Sequence, residues 1–127
     1  MKIENIKFKA KRLDNGEWVE GDLKHSASYV GIGYPSSVFP DVPVVHRVDP
    51  STVCQFTGLK DCEGNEIWEG DLLANRYFKD IYEVVWREDD ACFKIVNTRY
   101  RERTELLGYS LRNISWRVVG KKLDKKK

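Results

Sequence analysis

The sequence has little cysteine or histidine. Its three cysteines, Cys54, Cys62 and Cys92, include no C-x-x-C pair, and its two histidines, His25 and His46, have no carboxylate or thiol at metal-ligand spacing. This pattern argues against a zinc site, and it favours reduced thiols in a cytoplasmic protein over a disulfide framework. We therefore expect no metal and no cofactor.

Long apolar runs are also missing. No stretch approaches the ~20 consecutive apolar residues that a transmembrane helix needs. The N-terminal segment alternates charged and apolar residues, which is unlike a signal peptide. We expect a soluble, cytoplasmic protein with no membrane contact. The 127 residues suit one domain, 41% hydrophobic residues indicate a globular chain, and 12% aromatic residues favour strands.

The net charge of +2 is unevenly placed along the chain. Residues 1–96 hold 12 Lys and Arg against 17 Asp and Glu, a balance of −5. Residues 97–127 hold 10 against 3, a balance of +7, and the two balances sum to +2. Such asymmetry is typical of a surface or tail that meets an acidic partner.

Two hairpins are legible from the alternation of apolar and polar residues. Residues 6–11 alternate apolar side chains with lysines, and Asp14-Asn15-Gly16 is a strong turn signal before a second strand at 17–23. Residues 80–86 and 91–97 predict the second hairpin. Further elements are expected as a long loop with one or two short strands at 24–43, a strand at 42–48, a single turn at 49–52, a short helix within 103–111 and a last strand at 114–119.

The segment 53–73 organises the chain, with glycines and acidic residues marking turns between apolar strands. An offset of 49 residues aligns Glu20-Gly21-Asp22-Leu23 with Glu69-Gly70-Asp71-Leu72, and five of the ten positions from 14 to 23 are identical. One interpretation is a duplicated site with paired carboxylates, and the favoured one is a repeated bend. The predicted structural turn residues are Gly58, Gly64, Gly70, Asp71, Gly21 and Asp22.

Residues 55–73, QFTGLKDCEGNEIWEGDLL, resemble the signature of the YopX family, small proteins of phages and prophages whose members typically read QYTGLKDKNGKEIYEGDIV. Residues 6–10 and 48–53 are similar to two further family segments. The resemblance implies an all-β fold of small SH3-type barrel units that assembles into homo-oligomers, and it implies no defined activity. We expect one YopX-like domain at 1–120, with duplication of 1–50 and 51–120 left open, followed by a basic tail at 121–127.

Three functions compete: a non-catalytic interaction or structural module, an enzyme that uses paired carboxylates for acid–base catalysis, and a module that binds single-stranded nucleic acid. We favour a non-catalytic interaction or structural module, because no nucleophile with an adjacent base is legible and the carboxylates of Glu20, Asp22, Glu69 and Asp71 fall at predicted turns. The alternative is a module for single-stranded nucleic acid, in which C-terminal cations contact phosphates and rings stack on bases. The candidate residues of that surface are Arg99, Tyr100, Arg101, Arg103, Arg112, Arg117, Lys121 and Lys122.

Overall fold

The computed structural model describes residues 2–125, which divide into two compact units, Met1–Phe56 (unit 1) and Thr57–Lys127 (unit 2). Each unit is built from antiparallel strands, so the predicted all-β class is confirmed. None of the helices in this range has the length and apolar character needed to cross a lipid bilayer.

Unit 1 contains the first of the two predicted hairpins. Its elements are short 3-10 turns at Ile3–Asn5 and Pro50–Thr52 and the strands β1 (Phe8–Lys11), β2 (Trp18–His25), β3 (Val30–Pro35), β4 (Pro43–Arg47) and the start of β5 (Cys54–Lys60). Gly16, in the predicted turn between β1 and β2, has a φ of 74°. The predicted turn at 49–52 is also confirmed, because Asp49 Oδ1 accepts a hydrogen bond from the Ser51 N–H at 3.0 Å.

The strand order within unit 1 is β4-β3-β2-β1-β5. Its buried core consists of Ala10, Ile32 and Val48. Alternate residues of a strand face the same side of a sheet, which is how Ala10 of β1 and Ile32 of β3 can point into one core. The long loop expected at 24–43 is in part a central strand. β3 pairs with both β2 and β4, and its glycines at 31 and 33 had interrupted the apolar alternation that marks a strand.

The bend predicted at Gly21-Asp22 needs correction. β2 runs through both residues, and Gly21 pairs with Phe8 while Asp22 pairs with Gly33. The φ of Gly21 is not positive, so the residue does not form a turn. Glycine is needed here for space, since a Cβ at this position would lie 2.2 Å from the carbonyl oxygen of Gly33.

Unit 2 contains the second hairpin and the short helix. Its further elements are β6 (Glu66–Trp68), β7 (Asp71–Ala74), β8 (Tyr82–Arg87), β9 (Cys92–Asn97), β10 (Thr104–Leu106), α1 (Leu107–Asn113), β11 (Arg117–Lys121) and a 3-10 turn at Lys122–Lys125. Five strands pair in the order β10-β9-β8-β7-β11, and β6 follows β5 in the other sheet. Within residues 2–125 both strand orders are open, so the barrel closure implied by the resemblance is not seen.

The core of unit 2 lies on one face of its five-stranded sheet. It contains Ile67, Leu73, Val84, Ile95, Leu107 and Trp116. Full burial of each aliphatic side chain stabilises the fold by roughly 1.5–3 kcal/mol. The helix α1 joins this core through Leu107 and Leu111, which are four positions apart and therefore share one helix face. The predicted short helix is thereby confirmed, although its first residue is 107.

The predicted basic tail begins differently. The last strand, β11, extends two residues beyond the predicted end at Val119, so Lys121 is its final residue. Lys122 then starts a 3-10 turn. The last two lysines of that tail, residues 126 and 127, lie outside the described residues.

Candidate functional site

The connection between β9 and β10, residues 98–103, holds half of the predicted nucleic-acid surface. Asn97 fixes its shape: its Oδ1 accepts hydrogen bonds from the N–H groups of Arg99 and Tyr100, at 2.8 and 2.9 Å. The Nδ2 of Asn97 donates to Asp80 at 3.0 Å, and the Arg103 N–H donates to the Tyr100 carbonyl at 2.9 Å. The loop therefore presents its side chains from an ordered backbone.

Arginines flank the ring of Tyr100 within this loop. The guanidinium carbon of Arg103 lies 4.8 Å from the ring centroid, and that of Arg99 lies 6.0 Å from it. The Nε of Arg99 is 3.6 Å from Asp80 Oδ1. Tyr100 remains exposed. An exposed aromatic ring close to arginines is a common feature of surfaces that bind single-stranded nucleic acid.

The remaining predicted cations lie on other elements of unit 2. Arg112 is exposed on α1 and Arg117 is exposed on β11. The side chain of Lys121 is only 7% exposed, and its Nζ lies 2.9 Å from Asp71 Oδ1 and 3.0 Å from the carbonyl oxygen of Glu69. Lys121 is therefore removed from the predicted phosphate-binding set, because a buried ammonium with two protein partners cannot reach a phosphate.

Arg101 and Lys122 converge on a carboxylate that the sequence analysis missed. Glu83, on β8, is buried, and its Oε1 accepts from Arg101 Nη1 at 3.0 Å and from Lys122 Nζ at 3.3 Å. The neighbours of Glu83 in β8, Tyr82 and Val84, belong to the core side, so Glu83 faces the other side of the sheet. A charged residue in the middle of an otherwise apolar strand was the signal that could have found it.

These three charged residues stand at a cleft in unit 2. It has a volume of about 590 Å³. Its lining consists of Leu72, Ile81, Glu83, Thr98, Arg101, Val119 and Lys122. Leu72 and Glu83 are register partners on adjacent strands, which explains why aliphatic and charged side chains lie side by side in this lining.

The acidic turn residues have structural partners. Asp61 is buried, and its carboxylate accepts from the N–H groups of Glu63, Asn65 and Val118 at 2.8–2.9 Å and from the side chain of Asn65 at 3.2 Å. Burial alone would raise the pKa of Asp61, but these hydrogen bonds favour the charged form and hold the pKa below its ordinary value. The carboxylate thus ties the 61–65 turn to β11.

Asp71 and Asp22, the two equivalent positions of the sequence repeat, differ. Asp71 is 3% exposed; its Oδ2 accepts from the Trp68 N–H at 2.7 Å, and its Oδ1 faces Lys121. Gly70, just before it, has a φ of 87°. Asp22 is exposed on β2. The carboxylate of Asp71 therefore has a structural partner for each oxygen, and Asp22 contributes to no buried site.

Unit 1 presents apolar side chains at the connection between β3 and β4. Val38, Phe39 and Val42 are 72%, 67% and 62% exposed. The loop is nevertheless ordered by its own hydrogen bonds, since the hydroxyl oxygen of Ser36 accepts from the N–H groups of Val38 and Phe39, at 3.1 and 3.2 Å. The Val42 N–H donates to the carbonyl of Phe39 at 2.9 Å. Large apolar side chains held outward in this way are typical of a contact surface.

In the part of the chain that the structure describes, no three His, Cys, Asp or Glu side chains are grouped so that they could hold a metal ion.

Comparison with protein families matches residues 2–122 to the family described as YopX protein. No curated protein matches the chain.

Proposed function

The chain belongs to the YopX family, and we propose that it is a non-catalytic interaction module that assembles with further copies of itself. The observation that supports this proposal is the ordered apolar loop of Val38, Phe39 and Val42. Water around these side chains is released when they meet an apolar partner, which favours association. Catalysis is not part of the proposal, because Asp61, Asp71 and Glu83 are each engaged by protein donors.

A cytoplasmic location belongs to the same proposal. The three cysteines are thiols in the structure, which supports a reducing compartment. A second copy bound at the apolar loop would bury side chains that a monomer leaves in water.

Multi-angle light scattering over a range of protein concentrations tests self-assembly. We expect a molar mass that is a multiple of the 14.8 kDa chain, and we expect the double variant Val38→Ser/Phe39→Ser to shift the mass toward one chain. Leu13→Ser is the matched control, because Leu13 is similarly exposed but lies in the β1–β2 turn. A mass of one chain at every concentration would reject the proposal.

Binding of single-stranded nucleic acid is a second candidate function, and the Arg99–Tyr100–Arg103 arrangement favours it. Without Lys121, the proposed surface is Arg99, Tyr100, Arg101, Arg103, Arg112, Arg117 and Lys122. Its centre is the 98–103 loop, whose backbone is fixed by Asn97.

Fluorescence anisotropy with a labelled oligo-dT tests this second function. We expect binding that weakens steeply as salt increases, because arginines release counterions from phosphates. Tyr100→Ala should weaken binding about tenfold, given the ~1–3 kcal/mol that one stacked base contributes. Tyr77→Ala is the control, since Tyr77 is an exposed ring in the connection between β7 and β8, outside the proposed set of residues. Equal losses in the two variants, or binding that is insensitive to salt, would count against a stacking surface.

A further inference from the structure

The cleft of unit 2 combines an aliphatic floor with a charged rim. Its lining contains Thr98, the aliphatic residues Leu72, Ile81 and Val119, here called the floor, and the charged residues Glu83, Arg101 and Lys122, here called the rim. A volume of about 590 Å³ falls within the roughly 300–1,000 Å³ of clefts that hold small molecules. Such sites are mostly apolar with a few polar groups that orient the ligand, which is the composition found here.

The charges of the rim do not cancel. Glu83 contributes −1, and Arg101 and Lys122 contribute +1 each, so the rim carries a net charge of +1. Both cations contact the same oxygen, Oε1 of Glu83, and both side chains are more than half exposed. A guanidinium has five N–H donors and an ammonium has three, so each cation keeps donors beyond the single bond to Glu83.

We propose that this cleft binds a small apolar carboxylate. The aliphatic part of the ligand lies on Leu72, Ile81 and Val119, and its carboxylate accepts hydrogen bonds from Arg101 and Lys122. Glu83 is a positioning residue: it holds both cations at the cleft and keeps the rim at +1, so that one anionic group neutralises it. The assignment rests on unit 2 alone and requires neither self-assembly nor nucleic-acid binding.

A series of eight-carbon ligands that differ only in charge tests the chemistry. Isothermal titration calorimetry of the full chain with octanoate should give saturable binding. Octanol, which keeps the apolar tail without the charge, should bind about tenfold more weakly, and octylammonium should bind more weakly still. Absence of octanoate binding, or equal affinity for octanoate and octanol, would overturn the assignment.

Variants of the rim locate the site and separate the charge effect from damage to the fold. Arg101→Gln and Lys122→Gln should each weaken octanoate binding about tenfold. Glu83→Gln should strengthen it, because glutamine keeps an acceptor oxygen for both cations while the rim charge rises from +1 to +2. Arg117→Gln is the matched control for loss of one exposed arginine on the same unit.

The opposite signs expected for Glu83→Gln and Arg101→Gln are the sharpest readout, since loss of a purely structural ion pair would weaken binding in both. If Glu83→Gln does not fold, Arg101→Gln against Arg117→Gln still decides. Equal octanoate affinity in those two variants would show that the carboxylate does not bind at this rim.

Discussion

The segment Glu20–Leu23 lies within β2 of unit 1, whereas the segment Glu69–Leu72, with the same four residues, turns the chain into β7 of unit 2. Gly21 continues an extended strand, and Gly70 has a φ of 87°. Asp22 is exposed, while Asp71 is buried between the Trp68 N–H and the ammonium of Lys121. The two glycines and the two aspartates of these segments thus have four different local roles.

The contrast shows why a glycine or an aspartate has no fixed meaning in a β-rich chain. Gly21 is required because the backbone of β3 lies very close to it. A Cβ on residue 21 would be 2.2 Å from the carbonyl oxygen of Gly33. Gly70 is required because residues with a Cβ resist positive φ. The neighbouring strand decides the first requirement, and the local turn decides the second.

Removal of the Asp71 carboxylate has the largest expected effect. Asp71→Ala removes the buried carboxylate that lies 2.9 Å from the Lys121 ammonium, and we expect a loss of about 3–5 kcal/mol in the free energy of unfolding. Asp22→Ala, the equivalent change in the other segment, should cost no more than about 0.5 kcal/mol. Chemical denaturation measures both, and equal losses would contradict the structural difference between the two aspartates.

The double variant Asp71→Ala/Lys121→Met sharpens this result. Replacement of both residues also removes the buried ammonium that faced the Asp71 carboxylate, so the double variant should be more stable than Asp71→Ala alone. A double variant that is less stable than the single one would show that the pair is not the source of the loss.

Substitution of Gly21 should have the next largest effect. The added methyl of Gly21→Ala meets a backbone oxygen that cannot move without shifting β3, and we expect a loss of about 3 kcal/mol. Thermal unfolding followed by circular dichroism measures it. A change below about 0.5 kcal/mol would contradict the close approach of β2 and β3.

Asp61 predicts a dependence of stability on pH. Its folded-state pKa is lowered, so its contribution is fully present above the unfolded-state pKa and is lost as the pH falls through the folded-state pKa. Asp61→Asn should cost about 2 kcal/mol at neutral pH and should flatten the acid limb of a stability–pH curve. Glu63→Gln, an exposed neighbour in the same turn, is the control and should leave that limb unchanged.

The smallest of these effects is expected at Gly70. Gly70→Ala places a Cβ on a residue with positive φ, which costs about 1–2 kcal/mol. Comparison of its midpoint in urea with that of Gly21→Ala tests the ranking. A larger loss at position 70 than at position 21 would reverse the roles assigned to the two glycines.

The sequence predicted the local elements of the fold better than it predicted the candidate site. Alternation and an Asn-Gly turn sufficed for the hairpin of β1 and β2, because both signals lie within a few residues. The sequence predicts one or two short strands within 24–43, and β3 is one of them, but its length is hidden because its glycines at 31 and 33 interrupt a pattern that only pairing with β2 and β4 completes. Of the predicted cations, Arg101 and Lys122 both contact the carboxylate of Glu83. They lie 18 and 39 positions beyond it in the chain, and no local pattern in the sequence indicates that they meet there.

What the amino-acid sequence determined by itself is the class of the fold, several of its turns and its family, because these depend on propensities and patterns over short stretches of chain. Tertiary structure alone decided that Lys121 is buried, that Gly21 lies under the backbone of β3 and that Glu83 gathers two cations at an apolar cleft. The physical reason is that burial and charge pairing depend on which strands become neighbours, and strand pairing joins residues that are far apart in sequence.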